Sequence, residues 1–102
     1  MELLTAQIKA SLPPLYGQDG VADKIIHAKL FTPDSGWTWY VAEGQREEDD
    51  FLCYGYVIGP EPEWGYFSIN ELAGTHGPCY MPIERDLSFS ARPQSQIPEI
   101  PE

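Results

Sequence analysis

Basic side chains are scarce in this chain: six lysines and arginines stand against sixteen aspartates and glutamates, a formal net charge of −10 over 102 residues. That balance opposes contact with phosphate backbones and anionic lipid. Direct nucleic-acid binding and membrane attachment are therefore not expected, and a basic protein is the natural partner. Cysteine is scarcer still. Cys53 sits in an apolar strand pattern and Cys79 in a Gly-Pro turn, so both read as reduced thiols. No apolar run approaches the ~20 residues of a membrane span, and residues 1–11 lack a signal-peptide core, so a soluble cytoplasmic protein is expected. Neither G-x-x-x-x-G-K nor G-x-S-x-G occurs, which argues against a phosphate-binding loop and a nucleophile elbow.

Aromatic residues, by contrast, are concentrated. Ten of the thirteen fall between Phe31 and Phe67, a stretch that also carries eight acids and one basic residue, Arg46. A chain of this length forms one domain able to bury roughly two thirds of its unfolded surface. Leu3, Leu4 and Ile8 recur at helical spacing, with Ala6 and Ala10 as strong helix formers, which predicts a helix over 2–11 stopped by Pro13 and Pro14. From Lys24 the period becomes two, predicting a strand over 24–31 and then a tight turn over TPDSG.

A second strand over 37–43 places Trp37, Trp39 and Val41 on the core side and Thr38, Tyr40 and Ala42 opposite. GQREEDD, residues 44–50, reads as a charged, solvated connection to a third strand over 51–58. GPEPE turns the chain into a short fourth strand over 64–67, and Ser68 with Glu71 forms a capping box for a brief helix ended by Gly74. Residues 83–89 supply a last edge strand. Beyond Ala91 the sequence RPQSQIPEIPE reads as an extended, mobile tail. The expectation is a single α+β domain over 1–90, with tail 91–102. Its core is an antiparallel four- or five-stranded meander-like sheet, with an N-terminal helix and a short helix after strand four.

The strings LPPLY, FTPDSGWTWY, YGYVIG, GYFS-x-x-EL and PIERDL, spread from about Leu12 to Phe89, resemble the domain-of-unknown-function family DUF2958. The resemblance implies a small bacterial cytoplasmic protein, often carried on plasmids and other mobile elements, with an accessory role. It implies no activity. Residues 44–50, in length and acidity, and Cys79 depart from the family pattern.

His27, Cys53, His76 and Cys79 are zinc-type residues, but their spacing does not give two close ligand pairs, and no metal or other cofactor is expected. Ser68 has a sufficient role as a helix cap, and carboxylate pairs such as Glu84 with Asp86 suit a solvated strand edge. Alternation points to a surface instead. Tyr40, Tyr54 and Tyr56 should emerge opposite the helices, near His27 and Lys29, with Glu47, Glu48, Asp49 and Asp50 beside them to steer a basic partner. The reading is a non-catalytic accessory protein acting through protein–protein contact, homodimerisation included. Two alternatives stand beside it: an acidic nucleic-acid mimic, and a small enzyme with a cleft at His76, Cys79 and Glu84.

Overall fold

The computed structural model describes residues 1–101. Helix α1 spans Ala6–Ser11, and its first turn is fixed by Thr5, whose hydroxyl accepts the Ile8 amide at 3.1 Å. Leu3 and Leu4 therefore precede the helix rather than open it, yet both are buried beneath the sheet. The first strand is in two pieces, β1 (Ile25–Ile26) and β2 (Ala28–Phe31), separated at His27. The TPDSG turn leads as expected into β3 (Thr38–Glu47), followed by β4 (Asp50–Ile58) and β5 (Glu63–Ser68).

Residues 44–50 are not a loose connection. β3 and β4 stay paired to Glu47 opposite Asp50, leaving a two-residue turn in which Glu48 adopts φ 56°. Helix α2 (Ile69–Ala73) follows β5, and β6 (Glu84–Arg85) returns to the free side of β2. The antiparallel order is β5-β4-β3-β2-β6, so the α+β, five-stranded reading holds. Among the described residues no helix is long and apolar enough to cross a membrane.

Alternation along the strands gives this sheet two buried faces. On the first, Leu30, Trp39, Val41, Phe51, Cys53 and Phe67 pack against both helices and the N-terminal segment. Trp37 was expected there too, but it lies just outside β3, exposed and stacked on Trp39 at 5.7 Å between ring centroids. The second face holds Ile26, Tyr40, Ala42 and Tyr56, and Ile97 and Ile100 close over it. The stretch from residue 91, expected to hang free, thus packs on the domain. β7 (Arg92–Pro93) pairs with β1, and a 3₁₀ turn (Gln94–Gln96) follows. Gln94 and Lys24 exchange hydrogen bonds at 2.7 and 3.0 Å, and Ser95 is held by Asp23. Prolines keep this segment from forming long regular structure, but they do not prevent two isoleucines from seating in an apolar face.

Candidate functional site

Of the tyrosines expected to face solvent, Tyr40 and Tyr56 retain only 3% and 5% exposure, because the C-terminal segment occupies the face they present. The Tyr40 hydroxyl donates to the Glu99 carboxylate, and burial first, then that carboxylate, push its pKa far above the phenolic range. Lys29 lies 5.6 Å from the Tyr40 ring centroid and 4.0 Å from Asp86. His27 is half-buried, which lowers its pKa, and its amide donates to the Val41 carbonyl. Glu47, Glu48 and Asp49 are exposed around the β3–β4 turn. Asp50 faces the start of α2 instead. It accepts from the Ser68 hydroxyl and, at 3.0 Å, the Asn70 amide, and these bonds hold its carboxyl below the usual carboxylate range. The expected tyrosine-and-acid patch is therefore not one surface; Tyr54 alone of the three tyrosines keeps partial access.

A different set of rings is brought together along β5. Trp64 and Tyr66 alternate onto the same face as Tyr54: Tyr54 stacks on Trp64 at 5.9 Å and meets Tyr66 at 4.9 Å. Tyr16, from the loop after α1, closes edge-on against Tyr66 at 6.4 Å. Tyr16 and Tyr66 are 68% and 51% exposed. Lys24 sits 5.9 Å from the Trp64 ring centroid.

A β-bulge places the loop that carries Tyr16. Between Val41 and Glu43 the register slips by one residue, so Ala42 is extra and Glu43 stands opposite Tyr54 instead of pointing at the helices. The bulge packs closely on β4: a Cβ at Gly55 would lie 1.8 Å from the Tyr40 carbonyl oxygen, which only glycine tolerates. Once turned, the buried Glu43 carboxylate accepts the Tyr16 and Gln18 amides at 2.8 and 2.9 Å. The Gln18 side chain adds bonds to Ile25 and Ala42, and Gln45 accepts the Leu15 amide. The loop is thus pinned to the sheet, with Tyr16 at φ 68° pointing onto the strip. Next to Tyr16, the Tyr66 hydroxyl has its pKa pushed up to about 12, by the Tyr16 hydroxyl first, then by burial and nearby charge including Glu43. The Tyr54 pKa is raised by burial, then by Glu43 and Asp19.

The family model described as "Protein of unknown function (DUF2958)" matches residues 3–97. The chain belongs to that family. No curated protein and no solved structure matches it. The span matched to DUF2958 contains all four residues of the aromatic strip and the C-terminal segment as far as Ile97.

Two of the recesses of this DUF2958 protein lie around Trp37. One, of about 500 Å³, is lined by Phe31, Trp37, Glu84 and Arg85; another, of about 370 Å³, by Trp37, Trp39 and His76. Glu84 and His76 thus line separate recesses, and Cys79 lines neither. The loop bearing His76 and Cys79 is tied down by Asp34, which accepts the Cys79 amide at 2.6 Å. Cys53 is buried in the core, its thiol pushed up to about 12 by burial, whereas Cys79 is exposed. Among the described residues no three His, Cys, Asp or Glu side chains are grouped as a metal ion would need. Tyr66 was open to detection from alternation with Trp64. Tyr16 was not, because its place depends on a bulge and on bonds spanning 25 and 27 residues.

Proposed function

We propose that this protein is a non-catalytic accessory protein that acts by binding another protein, and that Tyr16, Tyr54, Trp64 and Tyr66 form its contact surface. One observation carries the reading: four rings in continuous contact lie along an outer strand, two of them more than half exposed. Tyrosine and tryptophan concentrate binding energy because each offers a large apolar area with a polar tip at small entropic cost. The partner is basic. The chain carries a net charge of −10, Asp19 and Glu43 act on the strip's hydroxyls, and Glu63 lies on the same strand. A bacterial mobile-element setting, as the resemblance implies, supplies host and element proteins as candidates.

Affinity capture from a bacterial host at low and high salt tests this. The wild-type protein is expected to retain a partner that the Tyr16→Ser/Tyr66→Ser variant loses, with only a modest salt effect. Equal recovery by the two proteins overturns the reading. Capture that survives the tyrosine substitutions but collapses with salt favours the exposed acids Glu47, Glu48 and Asp49, and with them a nucleic-acid mimic.

A further inference from the structure

β5 is the outermost strand of the sheet and, among the described residues, pairs only with β4. A strand in that position directs every second amide and carbonyl away from its neighbour, a ready template for another chain. Edges are ordinarily defended by lysine, proline, a bulge or extreme shortness. Within Glu63–Ser68 there is no lysine, proline or bulge, and its one charge is Glu63 at the start: the strand is six residues, EWGYFS, in unbroken register with β4. At its centre, a Cβ added to Gly65 would meet nothing within 4 Å. The opposite edge, β6, is by contrast only two residues long.

We propose that β5 receives an extended, lysine- or arginine-bearing segment of the partner protein as a sixth strand. This deepens the binding reading above and rests on it. An added strand lies roughly 4.8 Å from β5, and its alternate side chains share a face with Trp64 and Tyr66. A cation on that strand meets the exposed Tyr66 and Tyr16 rings, and the gap above Gly65 admits a branched apolar residue from the other face. Lys24 already shows that the strip holds a cation, 5.9 Å from the Trp64 ring centroid; Tyr66 and Tyr16 form the more open end. Charge decides the occupant. Glu63 lies on the strand, exposed Glu61 just before it, and exposed Asp19 in the loop that carries Tyr16. A second copy of the chain would bring its own net charge of −10 to this edge, whereas a basic segment complements it.

The test uses the full chain and a labelled peptide of about ten residues, alternating lysine with valine or threonine. A second peptide of identical charge is N-methylated at alternate residues, so that it cannot make ladder bonds along one edge. Fluorescence anisotropy is expected to show saturable binding, weakened about tenfold or more by N-methylation and likewise by Tyr16→Ser/Tyr66→Ser. Amide exchange within Glu63–Ser68 should slow on binding. If both peptides bind equally and β5 amides stay unprotected while the tyrosine variant binds poorly, strand addition is wrong and the binding surface stands. No binding, or binding indifferent to the tyrosines, overturns both. Concentration-dependent dimerisation that protects β5 without peptide assigns the edge to a second copy and overturns the proposal.

Discussion

The Glu43 carboxylate is closed off from solvent and accepts two backbone amides from a loop 25 and 27 residues distant. Glu43→Ala leaves those donors, one of them in buried surroundings, without partners, at a cost of about 1–3 kcal/mol each where water cannot replace the carboxylate. Urea unfolding is expected to show a loss of about 2–4 kcal/mol. The Tyr16 amide should exchange faster in the same variant; unchanged exchange with full stability would refute the role given to Glu43. At this scale the sequence was partly legible. Period-two alternation correctly sends Trp39, Val41, Phe51 and Cys53 to one face and Tyr40 and Tyr56 to the other. It cannot show that Tyr40 and Tyr56 are covered, nor that one extra residue at Ala42 turns Glu43 over.

Among the elements, the C-terminal segment most alters the expected picture. Ile97 and Ile100 are 5% and 4% exposed over the second face of the sheet. Ile97→Ala should therefore cost about 2–4 kcal/mol by transfer and cavity terms together. Chemical denaturation measures that loss; one under about 0.5 kcal/mol would mean that the segment contributes little beyond coverage. Composition concealed this element, since proline, glutamine and glutamate dominate it. The two isoleucines that give it purpose form a lone pair three apart, interrupted by prolines, too short a pattern to signal a strand or a helix. The hairpin at 44–50 was hidden differently. Successive acids mark a solvated tip, but not that the strands run up to it.

At the scale of the molecule, charge is uneven as well as negative. Lys29 and Arg85 belong to β2 and β6, on the far side of the sheet from the β5 edge, where Glu61 and Glu63 stand and Lys24 reaches over Trp64. Net self-repulsion destabilises the compact state, and added salt screens it over a Debye length of roughly 8 Å at physiological strength. Raising sodium chloride from low to moderate concentration should lift the thermal midpoint by a few degrees, about the effect of 1 kcal/mol. A midpoint that falls with salt would show that the Lys29–Asp86 contact and its neighbours outweigh repulsion. The α+β class and antiparallel sheet were legible at this scale because five alternating runs left few other arrangements. The pairing of β1 with β7 was not, since nothing local links Ile25 to Pro93.

That pairing sets an order in time. The sheet's second face cannot be closed until residues 92–101 have been translated and have cleared the ribosome. Until then Tyr40, Tyr56 and Ile26 have no cover from Ile97 or Ile100. Bonds such as Ser95 to Asp23, 72 residues apart, form only after that point. The nascent chain thus passes through an interval in which this aromatic sheet face is bare.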